Sequence, residues 1–240
     1  MAPRDILHKS PVFSGLERNA LKTMARAFTL RHWPENSEIM APEDTAEQFM
    51  VLVQGRVKVS CSNRQGRELT LWLLGPGDGV DVLSLLDGKP HAVSVRTLTQ
   101  VEALSVPLPV VRQWLERYPA FRLAAHHYIA RQLREVADLA GDLALNHTMT
   151  RLAELLLRHF DSSRSSQPNL IHDLPHEELA HLIGSVRVVV NRLIGQLKRD
   201  GIVDMRDGTL RVVNLKRLLS TVEAQIGARN TRSGHSQATG

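Results

Sequence analysis

The sequence predicts a mixed fold (α+β) in three parts: a small barrel of antiparallel strands, one long helix, and two short helices followed by a β-hairpin. Residues 28–107 hold short runs of β-branched and apolar residues separated by turn sequences. Residues 120–145 contain no proline, and no glycine before Gly141, which is typical of a helix. Residues 174–213 hold two helical patterns divided by a glycine, then two strands joined by Asp-Gly.

Composition favours a folded chain of two domains. The 240 residues are 42% hydrophobic and 23% charged, which are ordinary values for a globular protein. No window of eighteen consecutive residues is apolar, and the first residues lack an apolar run of signal-peptide length. We therefore expect a cytoplasmic protein that does not enter a membrane. The single cysteine, Cys61, excludes an internal disulfide and cannot alone hold an iron–sulfur cluster or a thiolate zinc site.

Positive charge is concentrated in the C-terminal part of the chain. The formal net charge is +5, yet residues 1–145 carry 17 Lys and Arg against 16 Asp and Glu. Residues 146–240 carry 13 Lys and Arg against 9 Asp and Glu. An excess of this kind is compatible with a polyanionic partner, and its distribution points to the C-terminal part.

The predicted barrel consists of many short strands separated by turn residues. Turn chemistry stands at residues 63–66, 75–78 and 87–88, where Asn, Asp, Gly and Pro cluster. Apolar residues alternate in several runs, for example at Val57, Val59 and Cys61, which predicts one inward face. This spacing favours a small barrel or jelly roll. The strand runs are QFMVLVQG, RVKVSCS, ELTLWLL, AVSVRT and QVEALSVP.

The long helix carries an apolar seam suited to a partner helix. Its members are spaced 4, 3, 4 and 3 residues apart, which is the spacing of a coiled-coil contact. They are Ile129, Leu133, Val136, Ala140 and Leu143. The alternative is that this stripe packs on the barrel. Further apolar residues lie away from the seam, which leaves enough surface for one face toward the barrel and another toward a second chain: Leu123, Tyr128, Leu139 and Ala144.

Residues 174–201 have the pattern of a helix-turn-helix. Ala180 is the small residue that a close helix crossing needs, and Gly184 is the residue that tolerates a positive φ in the turn. Ser185 is a predicted N-cap of the second helix. The predicted buried faces are formed by Leu179, Leu182 and Ile183 in the first helix and by Val186, Val190, Leu193, Ile194 and Leu197 in the second.

The outward side of the second helix presents Arg187, Val188, Asn191 and Arg192. A charged run is often only a solvated face, but Val188 contributes no hydration there and could contact a thymine methyl group in a major groove. The hairpin around Asp207 and Gly208 is the wing of a winged helix, and its flanking residues Arg206 and Arg211 could contact phosphates. Together with Ser185, these six residues are the predicted DNA-binding set.

A small barrel, a long dimerisation helix and a C-terminal winged helix-turn-helix, in this order, resemble the CRP/FNR family of bacterial transcription regulators. The resemblance covers nearly the whole chain and includes VLVQGRVKVS, LGPGDGVDVLSLL, VRTLTQVEALSVP and GSVRVVVNRLIGQLKRDGIV. It implies a sensor barrel like that of cyclic-nucleotide-binding domains, with short flanking helices, at 1–118, a dimerisation helix at 119–146 and a DNA-binding domain at 147–226. We expect residues 227–240 to form a disordered tail.

The resemblance implies a homodimer that reads a palindromic operator in double-stranded DNA and contacts RNA polymerase. Arg187 and Arg192 match the recognition-helix arginines of the family, while Val188 stands where a glutamate commonly follows the first arginine. The pattern R-V-x-V-x-R at 187–192 and VLSLL at 82–86 resemble the cyanobacterial global nitrogen regulators. We do not expect an enzyme, since G-x-S-x-G, H-E-x-x-H and P-loop motifs are absent from the sequence.

The family's cyclic AMP cassette, a Glu for the ribose and an Arg–Ser for the phosphate, is replaced by Val82, His91 and Ala92. We therefore do not expect cyclic AMP to bind, and one cysteine does not support an iron–sulfur sensor. A haem or small-molecule sensor of the same fold remains an alternative, with His91, His126 and His127 as candidate haem ligands, and the effector stays unknown.

Two further alternatives come from the histidines and from the barrel. The spacing of His172, His176 and His181 suggests a metal, but phosphate contacts or no role are the preferred interpretation, and we expect no metal site. A cyclic-nucleotide-binding regulatory subunit or scaffold would share the barrel, but it would need an intact cassette and no wing.

Overall fold

The computed structural model describes residues 3–160, 170–206 and 208–223. The chain divides near Asp138 and Leu139 into two compact units. Among the described residues, no helix is both long enough and apolar enough to span a membrane.

Two short helices and a 3-10 turn begin the N-terminal unit. They supply buried apolar side chains to a core that continues into the first sheet and into later helices. These elements are α1 (Pro3–Lys9), the 3-10 turn (Pro11–Phe13) and α2 (Arg18–Ala25).

Eight strands form two antiparallel four-stranded sheets, and apolar residues of both sheets share one core. The strand order is β1-β8-β3-β6 in one sheet and β2-β7-β4-β5 in the other. This arrangement confirms the predicted sheet domain. The strands are β1 (Thr29–Trp33), β2 (Glu38–Met40), β3 (Gln48–Gln54), β4 (Val57–Ser62), β5 (Glu68–Leu74), β6 (Gly79–Val80), β7 (Ser94–Thr97) and β8 (Val101–Pro107).

Two local features differ from the sequence-based expectation. A helix, α3 (Val82–Asp87), stands between β6 and β7, where only strands and turns were predicted. Cys61 is exposed instead of lying inward with Val57 and Val59. Cys61 lies beyond the part of β4 that pairs with β7, which ends at Ser60, and the last two residues of β4 are both exposed. A register shift with β5 adds one residue, Leu71, on the facing strand and not on β4: Val59 pairs with Trp72, but Ser60 pairs with Thr70.

After the strands, α4 (Leu108–Arg117) and α5 (Pro119–Leu145) follow. The start of α5 packs into the first core through an aromatic cluster in which the Phe13 and Phe121 rings lie 4.9 Å apart. The Tyr128 hydroxyl donates to the Gly79 carbonyl at 3.1 Å and lies 3.4 Å from the Asp78 carboxylate. Burial raises the pKa of Asp78, which also accepts the Gly75 N–H at 3.0 Å.

The barrel-facing surface of α5 differs from the predicted one. It consists of Phe121, Ala124, Ala125 and Tyr128, all buried. Among the apolar residues expected away from the seam, Tyr128 is buried and Leu139 is half-buried. Leu123 and Ala144 are exposed. The difference arises because only the first three turns of α5 contribute buried side chains to that core.

In its described residues, the C-terminal unit contains the end of α5, four further helices and one hairpin around its own core. The hairpin strands are antiparallel, and Arg206 pairs with Thr209 next to Gly208, whose φ is +74°. Asp207 and the predicted tail at 227–240 lie outside the described residues. The elements are α6 (Thr148–Phe160), α7 (His176–Leu182), α8 (Arg187–Arg199), β9 (Val203–Arg206), β10 (Thr209–Val212) and α9 at 215–223.

Within this unit the end of α5 is joined to α6 by charged groups. The Arg158 guanidinium lies 2.6 Å from the Asp142 carboxylate and 3.7 Å from Glu154. Asn146 donates to the same Asp142 at 3.0 Å. Burial is the main cause that raises the pKa of Glu154, and the nearby Asp142 charge adds to it. Asp142 is therefore the common partner of groups on both sides of the α5–α6 connection.

Candidate nucleic-acid interface and barrel site

The turn between α7 and α8 is closed by backbone hydrogen bonds around a left-handed glycine. Gly184 has a φ of +57°, and the Ser185 N–H donates to the Ala180 carbonyl at 2.8 Å. A side chain at position 184 would be strained in this conformation, which accounts for the glycine. Ala180 is buried, as a close crossing of the two helices requires. Both sequence-based expectations for this turn are confirmed.

The start of α8 differs from the prediction in two respects. Ser185 is not the N-cap, because the helix begins at Arg187 and Val186 occupies the cap position with extended φ and ψ. The Val186 carbonyl accepts hydrogen bonds from the N–H groups of Val189 and Val190. Since Val186 precedes the helix, it does not share the buried face and is 56% exposed. The other predicted members of that face are buried: Val190, Leu193, Ile194 and Leu197.

The outward face of α8 presents Arg187, Val188, Asn191 and Arg192, all exposed. Residues at i, i+1, i+4 and i+5 lie on one side of a helix, so these four form a continuous surface at its N-terminal half. Val188 is 77% exposed. Packing within the described part of its own unit therefore does not explain why an apolar residue stands at this position. We call these four residues the recognition face.

Asn191 is held by a residue that the sequence analysis assigned differently. His176, the first residue of α7, forms a hydrogen bond between its Nδ1 and the Asn191 Oδ1. His176 was considered above only for phosphate or metal binding. The two residues are 15 positions apart and on different helices, so no spacing rule points to the pair.

The hairpin carries both predicted wing arginines at its surface. Arg206 is exposed, and its Nε donates to the Asp204 carboxylate at 3.0 Å. This hydrogen bond, followed by the one from the Met205 N–H, lowers the pKa of Asp204. Arg211 is exposed on β10, opposite Asp204. The neighbouring Leu210 N–H donates to the His172 carbonyl at 2.7 Å, so the hairpin is fixed to the segment that precedes α7.

Metal-ligating side chains do not cluster in the parts of the chain that the structure describes. There, no group of three or more His, Cys, Asp or Glu side chains has an arrangement that could hold a metal ion. His176 is bonded to Asn191, and His181 lies 3.5 Å from the Glu178 carboxylate on the same helix.

The barrel positions that replace the cyclic AMP cassette are occupied by apolar or paired side chains. Val82 is 1% exposed and belongs to the hydrophobic core. His91 is buried and forms an ion pair with Asp81 through its Nδ1, the two side chains being 6% and 8% exposed. Ala92 is exposed.

Asp81 is the residue of this region that the sequence analysis missed. It adopts a left-handed conformation with a φ of +51° and caps α3, its Oδ1 accepting the Ser84 N–H at 3.3 Å. Its second oxygen, Oδ2, is the one that pairs with His91. The backbone of His91 is bonded in turn to Asp44 and Glu43. An Asp before a short helix signals a cap, but the pairing with His91 has no local signature.

The three histidines considered as haem ligands have different environments. His91 is engaged with Asp81, whereas His126 and His127 are exposed on α5.

Two protein families match this chain. Residues 30–118 match the cyclic nucleotide-binding domain family, and residues 150–221 match the Crp-like helix-turn-helix domain family. The first match contains β1 to β8 with α3 and α4, and the second contains α6 to α8 and the hairpin.

Two relatives match this chain over most of their own length. A cyclic AMP receptor protein of Thermus thermophilus is 30% identical over 207 residues, which cover 85% of this chain and 92% of that protein. A global nitrogen regulator of Synechocystis is 31% identical over 184 residues, covering 73% of this chain and 80% of that protein.

Among solved structures, the c-di-GMP responsive global regulator CLP of Xanthomonas campestris superimposes with a TM-score of 0.72. It is 21% identical, and the match covers 82% of this chain and all of that one. At this identity the likeness concerns the fold alone.

We expect the buried Asp81–His91 pair to stabilise the N-terminal unit. Asp81→Ala should lower the free energy of unfolding by about 1–3 kcal/mol, because it leaves a buried imidazole without its partner and removes the side-chain cap of α3. His91→Leu should also destabilise, and the double variant should lose less than the sum of the two. The measurement is urea unfolding followed by tryptophan fluorescence, since Trp33, Trp72 and Trp114 all lie in this unit.

The matched control for that cycle is the exposed pair His32–Glu102, which has the same chemistry at 3.5 Å. Glu102→Ala should change the free energy of unfolding by less than about 1 kcal/mol, because exposed pairs contribute little. Strictly additive effects of the Asp81 and His91 substitutions would show that the two side chains do not stabilise each other.

Proposed function

Because this chain belongs to the CRP/FNR family of transcription regulators, we propose that it is a homodimer that reads a palindromic DNA operator and has lost the cyclic AMP site of its barrel. Membership of this family makes the chain a DNA-binding transcription regulator. The recognition face, in which an exposed valine stands between arginines, supports the reading of base edges in an operator. We assign residues 1–118 to the sensor barrel, 119–146 to dimerisation and 147–226 to DNA binding, with RNA polymerase as an expected partner.

The chemistry of the recognition face fits a major groove. Arg187 and Arg192 can each donate two hydrogen bonds to O6 and N7 of guanine. Val188 offers a methyl-lined surface to a thymine methyl group and cannot accept a bond from cytosine N4. The exposed wing arginine Arg211 can contact the DNA backbone, which adds affinity without sequence information.

A single recognition helix reads too few base pairs for a specific operator. A symmetric dimer supplies a second recognition helix, which reads a second half-site one helical turn of DNA away. The seam on α5 supports such a dimer, because none of its members is buried in the single chain. Leu133 is 68% exposed, Ala140 is exposed, and the others are half-buried. Exposed apolar residues at 4-3 spacing along a helix favour packing against a second helix.

Dimerisation is tested with Leu133→Asp and Val136→Asp in one chain. We expect monomers in light scattering and DNA affinity reduced at least tenfold, because two charges would be placed in the apolar seam. Arg134→Asp is the control, since Arg134 is exposed and lies about 140° around the helix from the centre of the seam. A double variant that remains dimeric contradicts the assignment of the interface.

The barrel offers little to a cyclic nucleotide. Binding of a phosphodiester depends on charge-assisted hydrogen bonds, and the ribose needs an acceptor. Val82 has no polar atom, and the imidazole of His91 already pairs with the carboxylate of Asp81. A phosphate brought to His91 would be placed beside that negative charge. The residues present therefore do not fit cyclic AMP, and this supports the proposal of a degenerate site.

Titration calorimetry with cyclic AMP tests the degenerate site. We expect no binding below about 10 μM and no change in operator affinity, because the charge-assisted hydrogen bonds are absent. A family member that binds cyclic AMP, titrated under the same conditions, is the positive control. Submicromolar binding together with a change in operator affinity would refute the degenerate pocket.

The base code is tested by selecting operators from random DNA with wild type and Val188→Glu. We expect wild type to select a palindrome with half-sites of the G-T-A type, by resemblance to the nitrogen regulators. The glutamate variant should shift one position toward cytosine, with a change of about 1–3 kcal/mol at that base pair. Arg211→Ala should instead weaken binding to all sequences alike and reduce the salt dependence.

Val186→Glu is the matched control for that selection. Val186 is also an exposed valine, yet it occupies the cap position outside the recognition face. The substitution therefore adds the same charge as Val188→Glu without changing a proposed base contact. Its selected half-site should equal that of wild type. If wild type and Val188→Glu select the same half-site, Val188 reads no base.

A further inference from the structure

We propose that His176 is a positioning residue that sets which end of the Asn191 side-chain amide faces the operator, so that Asn191 reads DNA as a hydrogen-bond donor. This inference rests on the proposed function, in which the recognition face lies against base edges. It adds a specificity-determining residue that is not itself on the recognition helix.

The geometry fixes the direction of the hydrogen bond. His176 Nδ1 contacts Asn191 Oδ1, and an amide oxygen can only accept, so the imidazole nitrogen donates. His176 is the first residue of α7 and is half-buried, whereas Asn191 is exposed on α8. One end of the Asn191 amide is thus bonded inside the unit, and the NH2 end remains for a partner outside it.

The orientation of the amide determines which bases Asn191 can distinguish. An asparagine that recognises adenine bidentately uses its oxygen and its nitrogen at the same time. Here the oxygen is bonded to His176, so the NH2 group meets the groove and requires an acceptor. In the major groove guanine offers the acceptors O6 and N7, adenine offers N7 and thymine offers O4, whereas cytosine offers only a donor, N4. We therefore expect guanine, adenine or thymine, and not cytosine, at the base that Asn191 contacts.

His176 is suited to this role by its place in the first helix. The two acidic residues that follow it, Glu177 and Glu178, cannot donate, and Glu178 pairs with His181. An acceptor in the place of His176 would bond the NH2 end and turn the amide over. Whether the side chain at position 176 in α7 donates or accepts a hydrogen bond therefore determines whether Asn191 in α8 donates to the base or accepts from it.

The first experiment locates the base. Operators are selected with full-length wild type and with Asn191→Ala, and the position at which the alanine variant loses its preference is the one that Asn191 reads. We expect a loss of discrimination of about five- to tenfold at that position, the value of one hydrogen bond. Positions read by Arg187 and Arg192 should keep their preference and serve as internal references.

The second experiment reverses the hydrogen bond. In His176→Asp an acceptor replaces the donor, so the Asn191 amide should turn over, and its oxygen should favour the donor-bearing bases cytosine and adenine over guanine and thymine. In His176→Asn the side-chain amide can present either its NH2 group or its oxygen to Asn191, so the preference should lie between those of wild type and His176→Asp. His176→Ala leaves both orientations accessible and should broaden the preference.

The added charge of His176→Asp lowers the affinity for every sequence, so base preference is the measured quantity. His172→Asp, a histidine of the same unit outside the Asn191 contact, adds the same charge and should leave the preference unchanged. Circular dichroism checks that α7 persists, which an aspartate at the start of a helix favours.

The outcomes separate the two proposals. If wild type selects no operator, the proposed function fails and this inference fails with it. If wild type selects an operator but Asn191→Ala changes no position, or His176→Asp keeps the wild-type preference, only the role of His176 is overturned. A purely structural His176 would lower affinity in all three variants without moving the preference.

Discussion

The structure depends on a single helix, α5, whose 27 residues have to satisfy different neighbours on different faces. Its first turns bury Phe121 and Tyr128 in the core of the N-terminal unit. Its middle exposes Leu133, and its last turn carries Asp142, the partner of Arg158 in α6. The exposed apolar residue Leu133 in the middle of this helix supports the proposed packing against a second chain.

Polar groups anchor this helix to the turn before β6. The Asp78 carboxylate accepts the Gly75 N–H of its own turn and lies within reach of the Tyr128 hydroxyl, while Arg131 lies 3.9 Å away and 4.8 Å above the Tyr128 ring. Burial raises the pKa of Asp78, whereas its hydrogen bond and Arg131 act in the opposite direction. The turn and the helix therefore share one network of hydrogen bonds and charges, so a displacement of the turn would change the contacts of α5.

Sequence periodicity predicted the elements that are determined by residues close to one another in the sequence. The strand runs, the extent of α5 and the glycine in the α7–α8 turn depend on neighbours within a few residues. The exposure of Cys61 was not predicted because the point at which β4 loses its β7 partner is set by the facing strand and not by residues near Cys61. Ser185 was a reasonable cap by residue type, but the bond from its N–H to Ala180 moves the start of α8 one residue onward. Asp81 with His91 and His176 with Asn191 are tertiary pairs, which periodicity does not reveal.

The proposed loss of the nucleotide site changes what regulation can act on. A ligand shifts a two-state equilibrium only by its difference in affinity for the two states, and a complete switch needs about 5.5 kcal/mol. In family members that bind a cyclic nucleotide, the charged phosphate is the natural source of that difference, and Val82 with a neutralised His91 leaves little of it here. The proposed dimerisation through the α5 seam would provide another source, because the amount of dimer rises with the square of the free monomer concentration. Under this proposal, the concentration of the protein itself controls the occupancy of its operators, and the recognition face determines which operators those are.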